Sequence, residues 1–371
     1  MVENKRPVLI TAGGTGGHVY PGLAVARALQ EQGIPVVWMG TRKGLEARVI
    51  PEAGIEMAWL DVSGLRGKGV MALALAPVRL MKALYQSVGI MRKHKPVAVL
   101  GMGGFVAGPG GLVASLMGIP VVIHEQNAVP GLTNRLLSKV STKVLEGFPG
   151  SFVSAKSKSV PVGNPVRKDI SSLPAPAERM QAREGRLNLL IIGGSLGAQA
   201  LNEAVPQAVA LLDESIRPVI RHQAGRNKDE MTQAVYDKSA VDGTITPFID
   251  DMAEAYAWAD LVICRSGALT VAELAAAGLA SVLVPYPYAV DDHQTANGLY
   301  LSENGAAILL PQTSLTPEAL ASHLTRLLQA PERLLQMSEK AKELARPDAT
   351  AEVAAIVAKL ADYTFNTEVT A

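Results

Sequence analysis

Cysteine is almost absent: Cys264 alone occurs in 371 residues, which excludes a disulfide framework and fits a reducing compartment. It lies in the apolar run Leu261-Val262-Ile263-Cys264 and reads as a small core residue. Aromatic residues are scarce, at 4% against 48% apolar residues, so Ala, Val, Leu and Ile must fill the interior, as in parallel sheets covered by helices. No H-E-x-x-H, C-x-x-C or D-x-D spacing is present, so neither a metal site nor a cofactor is expected. A G-x-S-x-G nucleophile elbow is missing as well. Val8-Leu9-Ile10 is too short for the apolar core of a secretory signal and runs straight into a glycine loop, so the chain is expected to stay in the cytosol.

Acidic residues are missing from Val62 to His124, where Arg66, Lys68, Arg79, Lys82, Arg92, Lys93 and Lys95 occur. This gap belongs to a wider asymmetry hidden by a net charge of +1. Residues 1–165 hold 18 Lys and Arg against 8 Asp and Glu, and residues 166–371 hold 17 against 26. Inside the acid-free stretch, Met71 to Met91 reads as a helix carrying Leu73, Leu75, Val78, Leu80, Met81, Leu84 and Tyr85. It is either a packed helix with a solvated basic face or a peripheral contact with anionic lipid. Nucleic acid is not an expected partner, because aromatic interleaving and any nucleic-acid motif are missing. Val97 to Ile123 is uncharged and long enough to span a bilayer, but its seven glycines with Pro109 and Pro120 argue for strand, loop, helix and strand.

What the chain does have is glycine at two matching places. Gly13-Gly14-Thr15-Gly16-Gly17-His18 and Gly193-Gly194-Ser195-Leu196-Gly197 each follow an apolar run and precede a helical pattern. Such turns let backbone N–H groups approach an anionic or sugar ligand at a helix N-terminus. Neither fits the dinucleotide fingerprint: Val19 stands where a third glycine would fall, and Met39-Gly40-Thr41-Arg42 supplies no acid for a ribose. The bland alternative is two tight turns in ordinary α/β packing. At this length two domains are the default, and strands alternate with helices throughout. Val8 to Thr11, Val36 to Met39, Val97 to Leu100 and Val121 to Ile123 form one series of strands, with a helix at Pro21 to Gln32. A second runs through Leu187 to Ile192, Val219 to His222, Leu261 to Cys264, Ser281 to Val284 and Ala306 to Leu310. Leu173 to Glu184 reads as a surface connection and Ala349 to Leu360 as a final amphipathic helix. The class is therefore α/β with parallel sheets.

Polar residues gather where strands end, the edge at which open α/β sheets bind ligands. His124-Glu125-Gln126-Asn127, Ser266-Gly267-Ala268-Leu269-Thr270 and Asp291-Asp292-His293-Gln294 all follow apolar runs. Ser266 to Leu269 offers a helix N-terminus for phosphate, and Glu273 a carboxylate for a ribose diol; Glu273 is alternatively a solvated helix residue, and Gln294 an ordinary helix opening. Asp250-Asp251 and Asp291-Asp292 read as helix caps. Without metal or nucleophile, leaving-group charge falls to Ser195, Arg167 and the helix N-termini.

Taken together, Gly13 to Gly22, Gly101-Met-Gly-Gly-Phe-Val-Ala-Gly-Pro109, His124 to Asn127, Gly163-Asn-Pro-Val-Arg167, Gly193 to Gln199 and Arg265 to Glu273 resemble the MurG family of bacterial peptidoglycan glycosyltransferases. The resemblance covers nearly the whole chain. It implies a GT-B fold of two Rossmann-like domains facing across a cleft. An acceptor and membrane-associating domain would span residues 1–165, a UDP-GlcNAc domain 166–345, and a helix from 346–371 would pack back on the first. The implied reaction is an inverting, metal-independent transfer of GlcNAc from UDP-GlcNAc to the 4-hydroxyl of MurNAc in lipid I, giving lipid II. By the resemblance, uracil meets the backbone near Ile249, ribose meets Glu273, and the diphosphate meets Ser195, Arg167 and Ser266, Gly267, Ala268 and Leu269. Thr270, Val271 and Ala272 belong to the same donor site. Gln294 and Asn127 read the GlcNAc hydroxyls, Thr15, Gly16 and Gly17 close over the donor, and His18 is the general base with Glu125 nearby. Implied partners are UDP-GlcNAc, lipid I, an anionic membrane surface at the cytoplasmic face of the cell membrane, and cell-wall or division proteins. Two rival readings are a UDP-GlcNAc 2-epimerase of the same fold and a non-catalytic UDP-sugar-binding scaffold.

Overall fold

The computed structural model describes residues 6–61, 75–155, 157–181, 183, 185–194 and 197–366. The chain divides into two compact units, Met1–Val166 with Pro347–Ala371, and Arg167–Arg346. The first unit runs β1 (Val8–Thr11), α1 (Gly16–Glu31), β2 (Val36–Gly40), α2 (Glu46–Glu52), β3 (Glu56–Trp59), α3 (Ala76–His94) and β4 (Ala98–Gly101). It continues through α4 (Ala107–Leu116), β5 (Val121–Glu125), α5 (Leu132–Leu137), β6 (Lys143–Glu146) and β7 (Ser159–Pro161). Its sheet has the order β3-β2-β1-β4-β5-β6-β7, with every neighbouring pair parallel.

The second unit opens with α6 (Lys168–Ser171) and α7 (Pro176–Gln181), then β8 (Asn188–Ile192), α8 (Gln199–Ala210), β9 (Val219–Gln223), α9 (Asp229–Lys238), β10 (Thr244–Thr246) and α10 (Met252–Trp258). It ends with β11 (Leu261–Cys264), α11 (Ala268–Ala277), β12 (Ala280–Leu283), α12 (His293–Ser302), β13 (Ala307–Leu309), α13 (Pro317–Leu328) and α14 (Pro331–Glu343). The order β10-β9-β8-β11-β12-β13, again all parallel, repeats the winding of the first sheet. In each sheet the winding reverses beside the first strand, between β1 and β4 and between β8 and β11. That switch point opens a crevice at the carboxyl ends of the strands, and both glycine loops begin there.

Every residue of β1, β2, β4, β5, β8, β11 and β12 is buried, which is why these strands read as unbroken apolar runs rather than as alternation. The strands β3, β7 and β10 lie at sheet edges and keep exposed residues, so their sequences carry no comparable signal. The uncharged stretch 97–123 folds as β4, α4 and β5. Among the described residues no helix is long and apolar enough to cross a membrane.

The last helix, α15 (Ala349–Leu360), belongs to the first unit. Val353, Ala354, Val357 and Ala358 share one core with Val25, Ala26, Ala28 and Leu29 of α1. Two helix boundaries differ from the sequence reading. α1 opens at Gly16, so Pro21 sits inside the helix and cannot bond the carbonyl of Gly17 four residues back. The basic helix spans Ala76–His94 rather than Met71 to Met91, and residues 71–74 lie outside the described residues.

The core of the second unit holds a polar knot. His222 of β9 is fully buried, its Nδ1 2.9 Å from the Tyr236 hydroxyl and its Nε2 3.0 Å from Asn202 Oδ1. Asn202 Nδ2 donates to the Ala224 carbonyl at 3.0 Å, so its Oδ1 accepts from His222 Nε2–H and the imidazole is satisfied as the neutral species. Burial pushes this histidine down from 6.5 to about 3, and buried His124 of β5 down from 6.5 to about 4. A histidine held neutral binds its proton more weakly folded than unfolded, so stability is full above about pH 6.5 and is lost as pH falls toward those folded values. Thermal melts should therefore show a decline between about pH 6.5 and pH 5, where most carboxylates remain charged; a flat melting temperature over that window would contradict this account.

Candidate active site

In the first unit the site grows from three strand ends. After β1 the backbone turns through Gly14 at φ 98° into α1, whose N-cap residue Thr15 is extended and makes no side-chain capping bond. The α1 N-terminus thus keeps N–H groups for a ligand. The loop is fixed from below by Glu46, fully buried at the start of α2. Its carboxylate accepts from the N–H groups of Gly14 at 3.1 Å and Thr41 at 3.0 Å and from the Thr41 hydroxyl at 2.8 Å. Only glycine fits around that carboxylate: a Cβ on Gly13 would lie 2.6 Å from Glu46 Oε1, and one on Gly40 2.7 Å from Glu46 Cγ.

The turn after β4 leans on this loop. Gly103 and Gly104 have φ 95° and 76°, and a Cβ on Gly104 would lie 2.5 Å from the Gly13 carbonyl oxygen. A Cβ on Gly103 would lie 2.9 Å from His18 Nδ1, so the glycine forms one wall of the His18 ring. The end of β5 supplies the other polar partners. His18 Nδ1 lies 2.8 Å from Gln126 Oε1, Gln126 Nε2 lies 3.0 Å from His124 Nδ1, and His124 Nε2 lies 2.9 Å from the Gly163 carbonyl.

Glu125, the sequence's second candidate for proton removal, does something else here. Its buried carboxylate accepts from the Asn127 N–H at 3.0 Å and Nδ2 at 3.1 Å, the Gly131 N–H at 3.1 Å and Asn134 Nδ2 at 2.9 Å. Both oxygens are engaged twice, so Glu125 pins the loop between β5 and α5 and thereby sets the half-buried Asn127.

In the second unit Ser195 and Leu196 lie outside the described residues. Their neighbours Gly194 and Gly197 have φ 77° and 69°, and a Cβ on Gly197 would collide with the Ala224 carbonyl. After β11, Gly267 is the extended N-cap of α11 with no side-chain cap, which leaves the N–H groups of Ala268, Leu269 and Thr270 for an anion. Ser266 is fully buried, and its hydroxyl has no bonding partner. The side chain of Val271 is fully buried, and its N–H bonds the Gly267 carbonyl at 2.9 Å. Ala272 is half-buried on the same helix.

One turn further, Glu273 accepts from the Tyr256 hydroxyl at 3.0 Å and lies 3.7 Å from Arg167 Nη2. Burial raises its pKa above the ordinary carboxylate value, opposed by Arg167 and the tyrosine bond. Arg167 is partly exposed and sits at the N-cap position of α6. Ile249 is half-buried in the loop between β10 and α10, next to Asp251, which caps α10 by accepting from the Glu254 N–H at 2.8 Å. Gln294 stands in the first turn of α12 after two left-handed residues, Asp291 and Asp292, at φ 51° and 49°. Asp292 makes no side-chain capping bond, contrary to the sequence reading. Gln294 Oε1 accepts from the Tyr286 N–H at 2.9 Å, so its oxygen is engaged by backbone and its NH₂ is the donor end of the side chain. Sequence reasoning gave no role to Glu46, Gln126 or Tyr256; the only trace of Glu46 is an acid two residues beyond Gly44, where the turn after β2 opens α2.

Residues 8–146 match the glycosyltransferase family 28 N-terminal domain, and residues 188–353 the glycosyltransferase family 28 C-terminal domain. The chain is 53% identical over 349 residues, 94% of it and 96% of the relative, to UDP-N-acetylglucosamine--N-acetylmuramyl-(pentapeptide) pyrophosphoryl-undecaprenol N-acetylglucosamine transferase of Marinobacter nauticus. Among solved structures, MurG of Acinetobacter baumannii superposes with a TM-score of 0.81 at 45% identity, covering 95% of this chain and 99% of that one. UDP-GlcNAc 2-epimerase from Neisseria meningitidis superposes with a TM-score of 0.67 at 13% identity, covering 95% and 100%, which shows the shared fold alone. Two parallel-sheet α/β domains, a match to both family 28 halves and near full-length identity to these transferases leave one assignment: the chain is a GT-B glycosyltransferase and belongs to the MurG family.

Proposed function

We propose that the chain transfers GlcNAc from UDP-GlcNAc to the 4-hydroxyl of MurNAc in undecaprenyl-pyrophosphoryl-MurNAc-pentapeptide, lipid I, giving lipid II. The observation that carries this reading is the identity to transferases of that name over nearly the whole of both chains. The acceptor hydroxyl loses its proton to His18, its oxygen forms a bond to the anomeric carbon, and the bond from that carbon to the β-phosphate oxygen breaks with inversion. UDP leaves with the pair of electrons. Arg167, Ser195 and the open N–H groups of Ala268, Leu269 and Thr270 receive the charge, since fixed dipoles need no reorganisation at the moment of reaction.

Glu273 binds the ribose diol, Ile249 lies against the uracil, and Gln294 with Asn127 binds the GlcNAc hydroxyls. Because Gln294 Oε1 is taken by the Tyr286 N–H, its NH₂ donates to a sugar hydroxyl oxygen. Thr15, Gly16 and Gly17 supply backbone donors from the first unit. His18 is preferred to Glu125 as proton acceptor because both oxygens of Glu125 are committed to its loop. The assay is transfer of labelled GlcNAc to a lipid I analogue, with an acceptor-free control in which epimerised UDP-GlcNAc would overturn the reading. General-base catalysis is worth about 10² to 10⁴ in rate, so His18→Ala should lower kcat by that range with a smaller change in donor affinity; unchanged kcat would remove His18 from the role.

The acceptor's polyprenyl tail stays in a bilayer, and α3 is the proposed contact at the cytoplasmic surface of the membrane. It buries Ala83, Ser87 and Met91 and exposes Val78, Met81 and Tyr85 at 66%, 66% and 82%, one helix face with basic residues alongside. Lys82 pairs with Asp61 at 3.1 Å, so Arg79 and Arg92 are the cations to alter. Co-sedimentation with vesicles containing anionic lipid should weaken as salt rises and in an Arg79→Glu, Arg92→Glu variant, while a Met81→Ser, Tyr85→Ser change should remove the salt-resistant remainder. Binding that both variants leave intact would place the contact elsewhere.

A further inference from the structure

Beyond the named site residues, the first unit contains a chain of hydrogen bonds that ends on His18 and has only one self-consistent direction. Its buried end is the Gly163 carbonyl, 2.9 Å from His124 Nε2. A carbonyl cannot donate, so His124 Nε2 carries hydrogen. His124 is fully buried and burial holds it neutral at ordinary pH, so its Nδ1 is a bare lone pair that only a donor can meet. The group facing it is the side-chain amide of Gln126, 3.0 Å away, which must therefore present its NH₂. The same nitrogen lies 3.5 Å from the His124 carbonyl oxygen, a second acceptor on that side. Reversing the amide would set lone pair against lone pair at His124 in a buried site. The amide oxygen is left pointing outward at His18 Nδ1, 2.8 Å away. An oxygen there needs a hydrogen on Nδ1, and a neutral imidazole has only one.

We propose that Gln126 is a positioning residue that holds His18 in the Nδ1–H tautomer, so that Nε2 carries the lone pair that takes the acceptor's proton. This rests on the reading of His18 as the proton acceptor. The surroundings make the chain stiff. Gln126 is almost completely buried, and Asn164 Nδ2 donates to its backbone carbonyl at 2.9 Å. On the far side of the ring, a Cβ at Gly103 would lie 2.9 Å from Nδ1 and 3.0 Å from Cε1 of His18, so glycine at that place lets the ring sit flush against backbone. A base whose tautomer is set before the substrate arrives loses no turnover to molecules with the proton on the wrong nitrogen. An amide achieves this without adding a charge that would tighten the hold on the proton.

The test reads the tautomer directly. In protein with ¹⁵N-labelled histidine rings, two-bond ¹H–¹⁵N spectra separate Nδ1–H from Nε2–H, and His18→Ala identifies the His18 signals. Wild-type His18 should show the Nδ1–H pattern and His124 the Nε2–H pattern. Gln126→Leu keeps the size but removes both bonds: His18 should move to Nε2–H or a mixture, and kcat should fall by about 10-fold or more with the KM for UDP-GlcNAc nearly unchanged. Gln126→Glu keeps an acceptor toward His18 and should restore the Nδ1–H pattern there, with a proton taken up between its second oxygen and His124 Nδ1 in place of the lost amide donor. Unaltered signals from His94, in the last turn of α3 and in the same unit as Gln126, report that each variant is folded. Nε2–H on wild-type His18, or an unchanged pattern in Gln126→Leu, overturns the proposal whatever the activity. If His18→Ala leaves kcat intact while the wild-type spectrum is as expected, the positioning stands and the assignment of His18 as the base falls.

Discussion

After β1, β4 and β8 the chain leaves a buried parallel strand and opens a helix within a few residues through backbone in the left-handed region, and glycine occupies those places. Gly14, Gly103, Gly194 and Gly197 all have positive φ. At Gly103 and Gly197 the lack of a Cβ is needed for contact as well as for conformation. A side chain at Gly104 would press into the Gly13 carbonyl, and one at Gly197 into the Ala224 carbonyl. Each switch-point crevice is therefore floored by backbone against backbone, with helix N-termini left uncapped above it. The anion-binding capacity of this fold follows from that constraint.

Buried carboxylates turn those floors into fixed geometry. In the first unit Glu46, Glu125 and Glu146 are all buried close to strand ends, and each ties down the adjoining loop. Glu146, at the end of β6, accepts from the N–H groups of Gly150 and Phe152 at 2.8 Å each and from the Ser159 hydroxyl at 2.5 Å. A carboxylate without such partners would be costly to bury; with three or four charge-assisted bonds it becomes a clamp on backbone that has no ladder to join. In the second unit Asp260 acts at the opposite, amino end of its strand, accepting from the Asn188 N–H at 2.8 Å and from Arg183 at 3.0 Å. Loops held this way present their ligand-facing groups with little ordering left to do on binding.

The uneven charge distribution has a structural counterpart in α3. That helix is held by one narrow stripe, Ala83, Ser87 and Met91, and leaves larger apolar side chains outside with cations around them. On the proposed reading, these exposed side chains and the cations beside them are the part of the first unit that would meet the bilayer holding the acceptor.

Much of this was legible in the sequence because it depends on local pattern. Fully buried parallel strands are mostly apolar on both faces, so β1 and β11 appear as written, and α15 shows its stripe of Val353 and Val357 facing one way. The glycine turns and the motifs that mark the family are contiguous, which is why fold and reaction class could be read without coordinates. Edge strands such as β10 carry little burial and so little signal. What only the tertiary structure decided is which polar group meets which. Glu125 clamps a loop because Gly131 and Asn134 curl back onto it, the Val271 side chain packs into the core, and Lys82 pairs with Asp61. Gln126 is given a direction by a carbonyl at Gly163, 39 positions along the chain from His124. Hydrogen bonds act over about 3 Å, and no spacing in a sequence reports which residues the folding of distant loops will bring within that reach.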